Sequence, residues 1–141
     1  MNQQRIDFLK KLKAHGIREN IPNVTELNGR FLNFLVKSFG AKKVLEIGMA
    51  NGYSTIYLAD GVESLDGKVV CYEISEPGWT EAEKNFKTVG LDNRIEIRKT
   101  NILREPPNES EKFDFIFVDA QKAFYHDFWK LIKKHIHAKS V

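Results

Sequence analysis

Residues 43–55, KVLEIGMANGYST, decide the fold of this chain. KVLEI is a short apolar run typical of a buried strand, and a helical pattern begins at Tyr53. Gly48 and Gly52 frame the turn between them. Such a turn brings backbone N–H groups at a helix start close to an anionic or polar ligand group, and Ser54 adds a hydroxyl donor. The stretch predicts a small-molecule site, with a purely structural tight turn as the alternative.

Three more strand-like runs follow and alternate with helical stretches. Strands are predicted at residues 43–47, 68–73, 94–98 and 113–118, and helices at residues 53–59, 79–89 and 124–135. Parallel strands need long crossovers, and helices supply them. The pattern therefore predicts an α/β fold with a doubly wound, mostly parallel sheet and helices on both faces. The apolar first and fourth strands are expected at the centre and the alternating third strand nearer an edge, and residues 137–141 resemble the approach to one more strand.

Residues 1–40 form a helical segment in front of the sheet. Apolar residues recur at helical spacing over residues 3–14, and Gly16 is predicted to end this helix. An extended link follows. Thr25 is then placed to cap a second helix that reaches Phe39.

The composition is that of one globular domain. The chain has 141 residues, 42% hydrophobic and 29% charged, and we expect a single domain over residues 1–141 with its sheet core in residues 41–141. Twenty-two basic against 19 acidic residues give a net charge of +3, too mild to indicate nucleic-acid binding. No apolar run approaches the roughly 20 residues of a membrane span, and the single Cys71 excludes an internal disulfide. These features predict a cytoplasmic protein with no membrane partner.

Acidic residues follow two of the predicted strands. Glu73 comes 25 residues after Gly48, where a doubly wound fold places a carboxylate on ribose hydroxyls, so an adenosine-containing ligand is implied. A solvated carboxylate beside Glu76 is the alternative. Asp119 follows the fourth strand and faces the same crevice if the first and fourth strands are neighbours; its alternative role is to cap the next helix. The turn lacks the glycine spacing of NAD- and ATP-binding motifs, which disfavours both cofactors.

Five motifs occur in register along the chain. They are Ile21 to Val24 (IPNV), Gly29 to Leu32 (GRFL), Val44 to Thr55, Glu73, and Phe113 to Tyr125. Together they resemble the metal-dependent O-methyltransferases of the caffeoyl-CoA and catechol type, which are class I S-adenosylmethionine-dependent methyltransferases. The resemblance implies a Rossmann-like fold that lacks the family's last strands.

The resemblance also implies a cofactor, a metal, a substrate and residue roles. S-adenosylmethionine would be the cofactor, Mg²⁺ or a similar divalent cation the metal, and a small catechol-like hydroxylated molecule the acceptor. The implied cofactor-binding residues are Val24, Glu46, Gly48, Asn51, Gly52, Tyr53, Ser54, Glu73, Ile74, Asn101, Ile102 and Asp119. Asp119 would also ligate the cation, and Lys122 would act as base on the acceptor hydroxyl, so both are candidate catalytic residues. A hard cation on oxygen ligands lowers the pKa of such a hydroxyl and orients it.

Several positions depart from the family pattern. Ala50 replaces a glycine common in the cofactor loop, which is tolerable if the backbone at that residue has an ordinary φ. Asn101 stands in place of an aspartate, and Gln121 stands where many relatives carry an acid. The family's Asp-Asn pair, which completes the metal site, would follow Val141. We therefore expect an incomplete metal site, with Asp119 as its carboxylate, and feeble methyl transfer by this chain alone.

Two other functions fit the same sequence. One is a noncatalytic cofactor-binding or assembly protein of this fold that pairs through the surface beside the fourth strand. Phe124, Phe128 and Trp129 would lack part of their packing there, and we expect a homo-oligomer. The other is a tRNA hydroxyuridine methyltransferase that binds RNA through the basic clusters of residues 10–18 and 130–139, which also fit solvated helix faces.

Overall fold

A computed structural model describes residues 1–141, which form five helices and four strands. In chain order these are α1 (Gln3–Arg18), α2 (Glu26–Ser38), β1 (Lys43–Ile47), α3 (Tyr53–Glu63), β2 (Lys68–Tyr72), α4 (Glu76–Thr88), β3 (Ile95–Arg98), β4 (Phe115–Val118) and α5 (Tyr125–Ile132), with short 3₁₀ turns at Asp92–Arg94 and Lys122–Phe124. Every predicted strand and helix is present, and β1 has its predicted bounds. None of the helices is long and apolar enough to cross a membrane.

The four strands form one parallel sheet in the order β3-β2-β1-β4. Val44 on β1 lies opposite Val69 on β2 and opposite Phe115 on β4. This arrangement confirms the predicted parallel α/β sheet and the neighbouring positions of the first and fourth strands. The carboxyl ends of β1 and β4 therefore lie side by side where the strand order reverses, which is where doubly wound folds bind their ligands.

The central position predicted for β4 is wrong for this sheet. β4 forms an edge, and its residues Ile116 to Val118 are only half-buried, because β1 alone pairs with it along its length. Val141 adds one bridge on the other side. Its N–H donates to the carbonyl of Asp114 at 2.9 Å, and its carbonyl accepts from the N–H of Ile116 at 2.8 Å. This is the hydrogen-bond pattern of a parallel bridge, as expected for the approach of a further strand.

The two faces of the sheet are covered by unequal layers. On one face, α1 to α4 pack over the strands around Val44 and Val69 in the larger apolar cluster. On the other face, α5 places Phe128 and Ile132 against Leu45 of β1 in a smaller cluster. The prediction of helices on both faces is confirmed. β1 and β2 are buried from both sides, and this double burial holds their carboxyl ends rigidly.

The first helix does not end at Gly16. α1 continues to Arg18, and the chain turns at Asn20, whose φ is +55°. Gly16 instead lets the following link pack against the helix, since a Cβ on it would lie 2.3 Å from Nδ2 of Asn23. The predicted end of the helix was wrong because Gly16 lets the link pack closely against α1 and does not cap the helix.

The link between α1 and α2 is held in one extended conformation. Lys13 Nζ donates to the carbonyl oxygens of Asn23 at 2.8 Å and of Val24 at 2.9 Å. At the end of the link, Thr25 Oγ1 accepts the N–H of Asn28 at 3.1 Å, which confirms the predicted cap of α2. The link is thereby fixed as one wall of the cleft described next.

Candidate active site

A cleft of about 660 Å³ opens at the carboxyl ends of β1, β2 and β4. Its walls come from the loops that follow these strands, from the loop that follows β3 and from the link between α1 and α2. Among the residues predicted to bind the cofactor, those that line it are Val24, Gly48, Asn51, Ser54, Glu73, Ile74, Asn101, Ile102 and Asp119. The fold thus brings together residues from five separate stretches of the chain. A cleft of this volume is large enough for a nucleoside-sized ligand.

Gly48 lies where the carboxyl ends of β1 and β4 pack against each other. Its φ is +87°, and a Cβ on it would lie 2.5 Å from the carbonyl oxygen of Asp119. The backbone N–H of Asp119 donates to the carbonyl of Ile47 at 2.9 Å. The turn therefore requires glycine for the close packing of two strand ends, and this structural requirement accounts for Gly48 whatever ligand lies beside it.

Ala50 adopts a left-handed backbone conformation. Its φ is +48°, so the condition of an ordinary φ, under which alanine would fit here without strain, is not met. Its N–H donates to Oε2 of Glu73 at 2.9 Å, a bond that holds the loop in this shape. An alanine in this region carries a strain of about 1–2 kcal/mol that a glycine would not. The loop keeps the geometry of a glycine turn at the expense of local strain.

Glu73 is fixed at the edge of the cleft by backbone donors. Besides the bond from Ala50, its Oε1 accepts the N–H groups of Ile74 and Ser75, each at 2.8 Å. The solvated carboxylate proposed as the alternative is wrong, since Glu73 is half-buried and its oxygens are bonded to two loops. Each oxygen has lone pairs left to accept from ligand hydroxyls.

Glu46 lies behind the wall of the cleft rather than in it. Its carboxylate is fully buried and accepts from Ser54 Oγ and Thr55 Oγ1, each at 2.5 Å, and from Cys71 Sγ at 3.4 Å. Burial raises the pKa of Glu46 to about 7, against the three hydrogen bonds that lower it. Glu46 therefore influences the cleft indirectly, through Ser54, which it bonds and which lines the cleft.

The bond to Glu46 changes the expected role of Ser54. A hydroxyl has one proton, and that of Ser54 is donated to the Glu46 carboxylate. Ser54 then offers only lone pairs to the cleft while Glu46 is ionised. The hydroxyl donor expected from the sequence is an acceptor in this arrangement, because the buried carboxylate takes its proton.

Tyr53, Gly52 and Lys122 lie outside the cleft lining. The Tyr53 side chain is buried and lines a separate cavity of about 230 Å³ between α1, α2 and α3. Its hydroxyl lies 3.5 Å from that of Tyr57, and burial raises the pKa of Tyr53. Gly52 sits at the N-cap of α3 against the Phe86 ring, and Lys122 is exposed on a 3₁₀ turn. Any contact of these residues with a ligand stays a prediction.

Asp119 stands at the β4 end of the cleft without a partner for its side chain. Its carboxylate makes no hydrogen bond or ion pair within the chain, and although it reaches solvent, nearby protein removes part of its hydration and raises its pKa. It does not cap the next helix, since α5 begins only at Tyr125. No group of three or more His, Cys, Asp or Glu side chains is arranged to hold a metal ion. The residues present do not form a hard-cation site on their own.

Sequence reasoning placed Val24 of the link at the site but missed Asn23 beside it and the residues of α4. Asn23 lines the cleft, and Lys13 holds its carbonyl in place. Asn51 is buried, and its side-chain Nδ2 donates to Glu81 Oε1 at 3.2 Å. The backbone carbonyl of Asn51 accepts from Asn85 Nδ2 at 2.9 Å. These contacts join residues far apart in the chain, and no local spacing signals them. The proline in the link was the one available sign of an extended wall.

The chain matches known proteins along nearly its whole length. A family model described as O-methyltransferase matches residues 2–138. The chain is 31% identical to the catechol O-methyltransferase of Niastella koreensis over 77% of its own length and 50% of that protein. It is 30% identical to the caffeoyl-CoA O-methyltransferase of Medicago sativa over 79% of its length and 47% of that protein. The chain thus spans about half the length of these curated relatives.

Solved structures share the fold of this chain. The O-methyltransferase from Bacillus cereus in complex with SAH has a TM-score of 0.83 and 35% identity, over 93% of this chain and 62% of that one. The O-methyltransferase TomG from Streptomyces achromogenes in complex with SAM has a TM-score of 0.80 and 26% identity, over 92% of this chain and 60% of that one. The fold of this chain is therefore shared with proteins whose solved structures hold SAM or SAH.

Proposed function

This chain belongs to the O-methyltransferase family, and on that premise we propose that it binds S-adenosylmethionine in the strand-end cleft as part of an S-adenosylmethionine-dependent O-methyltransferase. The observation that carries the proposal is Glu73, which three backbone N–H groups hold at the carboxyl end of β2 beside the glycine turn. A carboxylate in that place accepts from the hydroxyls of a ribose in doubly wound folds. The cleft volume of about 660 Å³ supports a ligand of this size.

In this proposal, different residues of the cleft contact different parts of the cofactor. Glu73 accepts from the ribose hydroxyls, and Ile102, which is buried at the cleft wall, offers an apolar surface to the adenine beside Asn101. Ser54 accepts a hydrogen bond from the amino group of the amino-acid part, because its own proton is donated to Glu46. The bound cofactor supplies an electrophilic methyl group on a sulfonium. The chain's part is to hold that group in line with an acceptor oxygen.

The acceptor we propose is a small hydroxylated aromatic molecule. Phe124 and Phe128 line the cleft, with ring centroids 6.4 Å apart, on the side where Asp119 stands. Aromatic rings offer a face or an edge to another aromatic ring. The relatives named for catechol and caffeoyl-CoA support the same class of acceptor. Asp119 orients the acceptor hydroxyl in this proposal, and Lys122, turned toward the cleft in its neutral amine form, takes the hydroxyl proton and becomes an ammonium.

A divalent cation stays a prediction of the resemblance. Asp119 is a suitable oxygen ligand, but it belongs to no group of three or more His, Cys, Asp or Glu side chains that could hold a metal ion. The match of residues 2–138 to the O-methyltransferase family does not favour the alternatives of a noncatalytic assembly protein or a tRNA methyltransferase.

A homo-oligomer and a cytoplasmic location also stay predictions. The surface expected to pair was the one beside β4 and on the following helix. Phe128 does not belong to such a surface, because it is buried against the sheet with Ile132, whereas Phe124 and Trp129 are exposed. An oligomer formed there would rest on the two exposed side chains.

The test of cofactor binding is a calorimetric titration of the chain with S-adenosylmethionine, with and without Mg²⁺. Glu73→Ala removes a charged hydrogen-bond acceptor and should weaken binding by roughly 1.5–3 kcal/mol, which is about 10- to 150-fold. Glu76→Ala is the matched control, because Glu76 is exposed three residues further on and outside the cleft lining. Thermal unfolding of both variants separates a lost ligand contact from a loosened loop. Equal affinity of the wild type and Glu73→Ala would contradict the ribose role.

A further inference from the structure

The cavity of about 230 Å³ between α1, α2 and α3 is separate from the strand-end cleft, and no residue lines both. Ile6 and Leu9 of α1 give it an apolar wall. Tyr53 and Tyr57 of α3 line it as well, with ring centroids 5.5 Å apart and planes at 70°. An apolar cavity of about 150 Å³ is enough to hold benzene, so this one has room for a single ring with a small substituent.

The three helices around this cavity are tied to one another by polar contacts. Asp60 of α3 accepts from Arg5 Nη1 of α1 at 2.9 Å and from Asn33 Nδ2 of α2 at 3.1 Å. Asn33 Nδ2 also donates to the carbonyl of Tyr57 at 2.8 Å. Arg5 and Asp60 are buried, and separating a buried ion pair is costly. The cavity is therefore a preformed feature of the fold, as small-molecule sites usually are.

The hydroxyls of the two tyrosines are poorly satisfied by the chain itself. Their only hydrogen bond is with each other, at 3.5 Å. That distance is well beyond the roughly 2.7–2.8 Å that is usual between hydroxyl groups. Tyr53 and Tyr57 are only 2% and 4% exposed, and buried polar groups nearly always have a partner. Whichever hydroxyl donates to the other, one phenolic proton remains for an acceptor.

The lining of the cavity also carries one uncompensated positive charge. Lys10 of α1 lines the cavity, is exposed and makes no ion pair within the chain. Arg30 of α2 lies on the other side and is paired with Glu26 at 2.6 Å, so these two charges cancel. Lys10 therefore favours a molecule with an anionic group, and a phenolic proton is a suitable donor to an oxygen of that group.

We propose that this cavity binds a small carboxylate that carries a single aromatic ring. The ring packs against Ile6, Leu9 and the two tyrosine rings. The carboxylate accepts the free phenolic proton, and Lys10 balances its charge. This site goes beyond the proposed function, since it shares no residue with the strand-end cleft and needs no S-adenosylmethionine.

Titration of the chain with benzoate tests the site, followed by calorimetry and by two-dimensional ¹H–¹⁵N NMR spectra. One benzoate should bind per chain with a dissociation constant of about 1 mM or tighter, and the amide signals of Tyr53 and Tyr57 should shift. Benzyl alcohol has the same ring without the charge and should bind at least about 10-fold more weakly. A failure of benzoate to saturate the chain, or equal binding of the two compounds, would overturn the proposal.

Substitutions of the cavity lining then locate the bound benzoate. Tyr53→Phe combined with Tyr57→Phe keeps both rings, removes both hydroxyls and should weaken binding about 10-fold or more. Lys10→Met should weaken benzoate binding about 2- to 5-fold and leave benzyl alcohol unaffected. Lys11→Met is the matched control, because Lys11 is the next residue, is also exposed and lies outside the lining. Circular dichroism verifies that each variant folds. Benzoate binding that neither the tyrosine variant nor Lys10→Met weakens would lie elsewhere and would overturn the proposal.

Discussion

The two ends of the strand-end cleft differ in how firmly their acids are held. At the β1–β2 end, Glu46 and Glu73 accept six hydrogen bonds between them, three each, from hydroxyl, thiol and backbone donors. At the β4 end, Asp119 accepts none and Lys122 is exposed. The chain's own donors therefore hold the acids at the β1–β2 end, whereas none of them holds the acid at the β4 end.

Burial explains why the two ends differ. β1 and β2 are interior strands covered on both faces, so a polar side chain there must find partners inside the protein. β4 is at the edge and half-buried, and Asp119, which follows it, is exposed to solvent.

Gly48, where the ends of β1 and β4 pack together, is the position at which a substitution should lower stability most. Gly48→Ala would place a Cβ 2.5 Å from the Asp119 carbonyl oxygen at a φ of +87°. We expect a loss of about 3 kcal/mol in the free energy of unfolding, from backbone strain together with the clash. Gly90→Ala is the control, since φ is +65° there and nothing lies within 4 Å of the added Cβ. Strain alone should cost that variant about 1 kcal/mol. Urea unfolding measures both, and equal losses would show that the two strand ends do not depend on this contact.

The buried acid of the cofactor side should make stability depend on pH. Burial raises the pKa of Glu46 from an ordinary 4.5 to about 7, so the folded state favours the protonated acid. Its contribution is full below pH 4.5 and is lost as the pH rises through 7, by up to about 3 kcal/mol. Glu46→Gln keeps the shape and removes the titration. Unfolding free energies at pH 5 and pH 8 should differ more for the wild type than for this variant, and equal slopes would contradict the buried-acid assignment.

The strained alanine of the cofactor loop offers a gain in stability. Ala50→Gly relieves the left-handed conformation at a φ of +48° and should stabilise the fold by about 0.5–1 kcal/mol, after the greater freedom of glycine in the unfolded chain is subtracted. Ala14→Gly is the same substitution at an exposed position inside α1 and should destabilise by about 1 kcal/mol. Stability changes of opposite sign for the two variants in thermal unfolding would support backbone strain at Ala50. A loss of stability in both variants would refute it.

Substitution of Asp119, at the β4 end of the cleft, should change the free energy of unfolding least. Asp119→Ala removes a carboxylate that has no partner within the chain, so the free energy of unfolding should change by no more than about 0.5 kcal/mol. A loss comparable to that of Gly48→Ala would mean that the β4 end is built as tightly as the β1–β2 end. Methyl transfer from radiolabelled S-adenosylmethionine to a catechol panel, with Mg²⁺ or chelator, then measures what the carboxylate does for the reaction.

Much of the fold follows from local patterns in the chain. Strand-like runs that alternate with helices predicted the parallel sheet, and the acids after the second and fourth strands were placed at one cleft. These predictions succeeded because hydrophobic period and strand ends are local properties. The end of α1 was misplaced, since the role of Gly16 depends on Asn23. The position of β4 was misplaced as well, since an apolar run does not say which strands pair with it.

The sequence by itself determined the fold class, the family and the residue types at the cleft, because these depend on periodicity and on motifs read in order. Only the tertiary structure decided how those residues are used. It placed Glu46 behind the wall, turned Ser54 into an acceptor and directed Tyr53 away from the cleft. The reason is physical: a side chain's direction and its proton are settled by the partners that folding brings beside it, and those partners are distant in the chain.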